Sequence, residues 1–558
     1  MTLQLDLIIS SREILTLDPA RPAATRVGVM NGRIVGFDEE LDGLSAIRSE
    51  DFGSATVTPG LIDAHCHTSW WGLGLTAVDL SVVRGLDALY AAIAEEVARL
   101  DALGDSDAWV HGTGFNQAHH GGLFPSIDRL DELTGSRPLY LRHTSGHAAI
   151  TNSATLRLVG AFDEGFANPT GGVVVRDAGG YPTGLIEESA QGLVQRLLLP
   201  YATEHLVAAL DAATSRYAEQ GITSFTEAGV AGGWIGHSPI EVAAYQSAAE
   251  RGRLHARAQL MPTIDALHPI TANATDFQGT GSGTGIDLGI RFGFGTEQVR
   301  FGHVKVFMDG SLLGATAAVT EDFCGHHNHG NRGYLLDDPE IYRERVLGAY
   351  RAGWPLALHA IGDAAIDLAL DLIDEAQTSY GRYDLPCRIE HFGIARPDQL
   401  VRAGALGIAV TPQAGFINAF GQQMADQVGP ERADWLYRGR SIIDAGIVLA
   451  GSSDLPVADN NLRRGMQSAV DRVTEAGTLL GANEGITREE ALRTHTEWAA
   501  IGTGQIDDKG TLERGKFADF TVFSGSPLDA DNIGALDIVA TVVGGRFSYD
   551  ARAQNTRD

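Results

Sequence analysis

Two histidines one residue apart close an apolar run, Thr58-Pro-Gly-Leu-Ile-Asp-Ala-His65-Cys-His67-Thr68. In an extended chain, residues i and i+2 share a face, so both imidazoles can meet one metal ion. The spacing alone is weakly specific. Four further apolar runs carry a metal-competent side chain: Lys305 in Val-Lys-Val-Phe-Met308, His359 in Leu-Ala-Leu-His, His391 in Arg-Ile-Glu-His and Asp454 in Gly-Ser-Ser-Asp-Leu-Pro. Neutral imidazole and carboxylate suit zinc, manganese, cobalt or iron. Singly, each has a plainer reading: His359 and His391 as hydrogen-bonded histidines at strand ends, Asp454 as a helix cap. Their ordered recurrence points to a divalent metal, zinc first among the candidates, with one or two ions bound.

Lys305 is the odd member. Strand alternation sets it opposite Val304 and Val306, toward an interior if those valines pack on helices. An ammonium beside metal cations is electrostatically unfavourable. A lysine that has reacted with carbon dioxide is an anionic carbamate able to bridge two metals; the alternative is a lysine paired with Glu227 or Asp309. Trp70 and Trp71 follow the histidine pair directly and are candidates to wall a substrate pocket, with ordinary packing as the competing account. A later cluster, His326, His327 and His329, is competent to bind metal but reads as a solvated loop.

These side chains need a scaffold that gathers them. Strand candidates recur at Leu61–His67, Gly221–Glu227, His255–Met261, His303–Met308, Pro355–His359, Cys387–His391, Gly407–Thr411 and Ile447–Gly451, several separated by helical patterns. The clearest helix is Ala364–Ala376, with Ala365, Leu368, Leu372 and Ile373 on one face. Strands alternating with helices argue for an α/β fold, a (β/α)₈ TIM barrel whose chemistry sits at the C-terminal strand ends; an open doubly wound sheet is the alternative. The first two strands lie too far apart for one helix, so an insertion is expected at about 70–215. The flanks, 1–58 and 501–558, read as short strands, including a hairpin at Asn31-Gly32. They suggest one small β domain built from both ends around a barrel at 59–500.

The chain has 558 residues and a net charge of −29, which argues against nucleic-acid or anionic-membrane partners. Three cysteines, Cys66, Cys324 and Cys387, do not make a disulfide framework and fit a reducing compartment. Without a basic n-region or a run of roughly 18 apolar residues, a cytoplasmic protein is expected. Its expected partner is a small-molecule substrate, and a homodimer is the candidate assembly.

The motifs Pro59-Gly-Leu-Ile-Asp-Ala-His65-Cys-His67, Val304-Lys305-Val-Phe-Met-Asp309-Gly-Ser, His359-Ala-Ile-Gly-Asp363, Arg388-Ile-Glu390-His391 and Gly451-Ser-Ser-Asp454-Leu-Pro-Val resemble the amidohydrolase superfamily. More narrowly, they are similar to the amidohydrolase family 3 branch that includes N-substituted formamide deformylases. The resemblance implies a distorted barrel with a β-sandwich of terminal strands. It implies His65, His67 and Asp454 about one metal, His359 and His391 about a second, and carboxylated Lys305 as bridge. It implies hydrolysis of a non-peptide carbon–nitrogen bond in a formamide or small amide, with Asp454 as proton shuttle and His147 steadying the carbonyl oxygen or substrate. A lyase or isomerase on the same scaffold, or a catalytically silent metal-binding protein, are the alternatives. Thr144-Ser145-Gly146-His147 departs from the family, which often has aspartate before Gly-His.

Overall fold

The computed structural model describes residues 4–554 apart from 76, 103, 105–107, 325–329 and 460. His326, His327 and His329 therefore lie outside the described residues.

All eight expected interior strands form, most of them shorter than the apolar runs that mark them. Leu61–Cys66, Ile222–Val230, Arg257–Pro262 and Val299–Phe301 make one parallel sheet. Val304–Phe307, Leu356–Ala360, Arg388–His391, Ala409–Thr411 and Val448–Leu449 make a second. Gly302-His303 breaks the fourth strand in two, so its first half pairs with one sheet and its second half with the other. Two seams join the sheets. Thr263 and Lys305 form a parallel bridge at one, while at the other Ala64 donates to Gly451 at 3.2 Å and Asp454 to His65 at 2.9 Å through backbone N–H groups.

The helices cover the outer faces for the usual reason, one apolar stripe each. Asp363–Tyr380 buries Ala365, Ile366, Ala369, Leu372 and Ile373 against Val304, Val306, Leu356 and Leu358. Leu368, expected on that face, is only half-buried because the stripe turns toward Ala369. Val304 and Val306 thus do pack outward, which sends Lys305 inward.

The terminal strands share one eight-stranded sheet, in which Thr56–Pro59 pairs antiparallel with Phe520–Phe523. Val27, Val29, Val57, Phe520 and Val522 form its core. Asn31 and Gly32 have φ of 52° and 73°, the left-handed pair that a two-residue hairpin requires. Where short strands are expected in the N-terminal flank, the first is a long one, Gln4–Asp18, with register shifts.

Residues between the first two interior strands fold into a six-stranded sheet: Gly172–Arg176, Pro182–Glu188, Ala148–Thr151, Leu139–His143, Val110–Phe115 and Val78–Asp79. Leu139 and Leu141 face one apolar cluster and Tyr140 another, so this sheet is covered on both sides. Among the described residues no helix is long and apolar enough to cross a membrane.

Candidate metal centre

His65 is the penultimate residue of the first interior strand and His67 follows that strand directly, both buried, with ring centroids 5.4 Å apart. Asp454 reaches them from the loop after Val448–Leu449. Its Oδ1 is 3.4 Å from His65 Nε2 and 3.3 Å from His67 Nε2, while Oδ2 is 3.9 Å from His391 Nδ1. These three residues form a His-His-Asp group able to hold a metal ion. His391 lies beside His65 with centroids 4.9 Å apart, and His359 beside His391 at 4.4 Å. His391 and Asp454 have φ of 70° and 56°. A side chain in that region costs about 1–2 kcal/mol, a strain that commonly accompanies function.

The hydrogen bonds test whether these residues suit a metal. His65 Nδ1 donates to Glu390, His391 Nδ1 to Gln413 Oε1 at 2.8 Å, and His359 Nε2 to the Gly310 carbonyl at 3.2 Å. Because each acceptor takes a proton, each ring turns its lone-pair nitrogen inward. His65 Nε2, His67 Nδ1, His359 Nδ1, Lys305 Nζ and Asp454 Oδ1 are buried without a hydrogen-bond partner. Burial of so many orphaned polar atoms is costly unless something binds them. The donor set fits a divalent metal.

Electrostatics agree with ligand roles. Burial pulls His67 down to about 4 and His391 to about 3, and it holds His359 well below its usual range, so all three are neutral near pH 7. Burial alone would raise the Asp454 carboxyl, but the imidazoles of His65, His67 and His391 close about it hold it well below the usual carboxylate range.

Lys305 does not pair with Glu227 or Asp309. Asp309 accepts from the backbone of Ala318, Ile361 and Gly362 at 2.9–3.1 Å, and Glu227 accepts from Ser69 N–H at 3.1 Å and from the Tyr245 hydroxyl. The Lys305 ammonium lies 4.6 Å from the Phe307 ring centroid, and burial lowers its pKa to about 8. An amine this close to neutral is a competent nucleophile toward carbon dioxide.

His147 comes from the insertion, where its Nδ1 donates to Glu188 Oε2 at 2.8 Å and its ring lies 6.2 Å from His359. Burial pulls its pKa down, yet the Glu188 carboxylate outweighs this and the net shift is upward. Trp70 stands against His67 at 5.8 Å and lines the cavity with His147, His359, His391 and Asp454. Trp71 does not. It stacks on Tyr217 at 5.7 Å, because both tryptophans sit on the helix Thr68–Gly74, where consecutive residues point about 100° apart.

Several supporting residues escaped the sequence reading. Glu390 is held by Arg388 Nε and Nη2 at 2.8 Å each, and Asp63 accepts from Ser453 and His65 N–H at 3.0 and 3.3 Å. Arg388 and Glu390 alternate on the face opposite Ile389, so a charged pair inside an apolar strand was the available signal. Glu188, Gln413 and Trp234 carried none, since only tertiary packing brings them here.

Comparisons with known proteins agree with this geometry. The N-substituted formamide deformylase of Arthrobacter pascens is 29% identical over 561 residues, 99% of both chains. The Arabidopsis thaliana protein LONG AFTER FAR-RED 3 is 29% identical over 560 residues, covering 98% of this chain and 91% of that one. A metal-dependent hydrolase of Pyrococcus horikoshii shares the fold with a TM-score of 0.73 at 21% identity, over 95% of this chain and 99% of that one. Residues 51–549 match the sequence model of one family throughout, spanning every candidate ligand above, and the chain belongs to that family, the amidohydrolases.

Proposed function

We propose that this amidohydrolase hydrolyses a non-peptide carbon–nitrogen bond, with an N-substituted formamide or similarly small acyl amide as substrate. The observation that carries this is the cluster of buried, unpartnered donors, His65 Nε2, His67 Nδ1, His359 Nδ1 and Asp454 Oδ1, set beside a narrow space of about 40 Å³ and one of about 150 Å³ that His147 and Lys305 line. The reaction balances as R–NH–CHO + H₂O → HCOO⁻ + R–NH₃⁺.

In this reading the two parallel sheets act as one distorted (β/α)₈ barrel, spanning 59–500 with the insertion at about 70–215, and the terminal strands of 1–58 and 501–558 form a β-sandwich. His65, His67, His359, His391 and Asp454 would hold one or two divalent ions, zinc first, with carboxylated Lys305 between them. Bound there, the metal supplies Lewis acidity, which polarises a carbonyl and eases deprotonation of water. Asp454 offers Oδ1 toward His65 and His67 and Oδ2 toward His391, so one carboxylate can accept the water proton and pass it to the leaving nitrogen. His147, with Nδ1 held by Glu188, is left with Nε2 to donate to the carbonyl oxygen as negative charge develops. Trp70 walls the cavity against bulk water. A cytoplasmic setting agrees with a chain of only three cysteines, of which Cys66 and Cys387 are buried thiols.

The test is elemental analysis of protein expressed with ample metal, beside mass spectrometry of a panel of formamides, amides and carbamates. Formate and amine appearing together, abolished by chelation and restored by metal, support the reading. A product of unchanged mass would point to an isomerase, and no turnover with metal loaded would sink the hydrolase reading.

A further inference from the structure

Beside the small metal cavity lies a chamber of about 470 Å³, within the range of sites that enclose a whole small molecule. Trp70 and Trp234 line both spaces, which adjoin at these two rings. The chamber sits where the inserted sheet meets the helix Thr203–Glu219, and Trp109, Tyr140, Leu198 and Tyr201 give it a mainly apolar, aromatic wall. Its charged groups are unequal. Glu96 and Arg99 hold each other at 2.7 and 2.8 Å, and His237 is taken by Glu241 at 3.3 Å. His111 is neutral, since burial, and then Arg142, lower its pKa to about 4.

Arg142 is different. Its guanidinium lies 4.4 Å from the Trp70 ring centroid and Nη2 donates to the Gln195 amide oxygen at 3.0 Å, yet no carboxylate pairs with it among the described residues. In a chain of net charge −29, a half-buried cation without an anion, facing an aromatic chamber, stands out. A planar guanidinium with spare donors matches a carboxylate.

We infer that this chamber is a second substrate subsite, which receives an apolar or aromatic N-substituent ending in a carboxylate, with Arg142 binding the anion. The inference rests on the hydrolase reading above for the position of the scissile bond. Trp70, with His67 on one side and Arg142 on the other, then separates the acyl end of the substrate from its anionic end. Such a substrate is an N-acylated amino acid with its amine remote from the acid. The enzyme would consume the product of an N-formylating or N-acylating reaction and release a zwitterion.

The test compares N-(4-carboxybenzyl)formamide with its methyl ester, together with calorimetric binding of 4-carboxybenzylamine and benzylamine to the metal-loaded protein. The acid should exceed the ester in kcat/KM by about tenfold or more, the worth of one charge-assisted hydrogen bond. Arg142→Met should collapse that ratio through KM, and Arg142→Lys should restore part of it. Equal kcat/KM for acid and ester, unaltered in Arg142→Met, would overturn the subsite while leaving the hydrolase standing. No turnover of either, with Arg142-dependent binding of 4-carboxybenzylamine alone, would keep the anion site and reject the hydrolase. Neither turnover nor selective binding rejects both.

Discussion

The backbone N–H of Ser453 donates to Asp63 Oδ1 at 3.0 Å, tying the residue before Asp454 to the strand that delivers His65. The Ser453 hydroxyl also donates to Asp63, and burial raises this carboxyl to about 6. Asp63→Ala should lower metal affinity by about 10- to 100-fold, as expected for a residue that orients ligands. It should also cost about 1–3 kcal/mol of stability through unsatisfied donors. Competition with a chromogenic chelator and thermal unfolding read the two effects, and wild-type affinity would refute the positioning role.

Asp454→Asn keeps an oxygen toward His65 and His67 but cannot shuttle a proton. Metal content should stay largely intact while turnover falls by about 10²- to 10⁴-fold. Full activity in this variant would rule the shuttle out.

Gly146 has φ of +74°, and a Cβ there would stand 2.5 Å from Trp70 Cη2. Gly146→Ala should therefore displace the Trp70 ring, at a backbone cost of about 1–2 kcal/mol. The expected outcome is a lower kcat/KM with metal content unchanged. A crystal structure showing Trp70 in place, with wild-type kinetics, would contradict this.

Lys509 is buried outside the lining of the metal cavity, where it donates to Ser224 Oγ near Asp508, Asp519, Arg257 and Arg300. Burial pulls its pKa from 10.5 to about 7, against the attraction of Asp519. Between those values the unfolded chain binds the extra proton, so stability rises with pH across that window and is withheld below about 7. The contribution is on the order of 2–4 kcal/mol. Lys509→Met should thus raise the Tm more at about pH 6.5 than at about pH 9.5. An equal change at both would mean that Lys509 stays charged when folded.

The candidate ligands were legible because each stands on, or just past, an apolar strand whose period-two alternation gives its direction. His65, Lys305, His359 and His391 needed only that rule, and the eight interior strands followed from the same runs. The inserted sheet was not legible as a sheet, since its central strands, Leu139–His143 and Ala148–Thr151, are mostly buried on both faces, while Gly172–Arg176 and Pro182–Glu188 alternate in burial without alternating apolar and polar residues. Arg142 and Glu188 were invisible for that reason. Trp71 misled because the turn from strand to helix at Thr68 changes the period from two to 3.6, which rotates it away from Trp70. Glu390 was readable in principle, as a charge beside Arg388 in an otherwise apolar strand.

Thr58 and Thr521 meet in the sheet made from both termini although 463 positions separate them. A nascent chain therefore exposes the Thr56–Pro59 edge through most of its synthesis, with its natural partner not yet made. Exposed strand edges recruit strands from other molecules. Yield should accordingly depend on how quickly translation reaches Phe520–Phe523, and a supplied peptide of that sequence would cap the waiting edge.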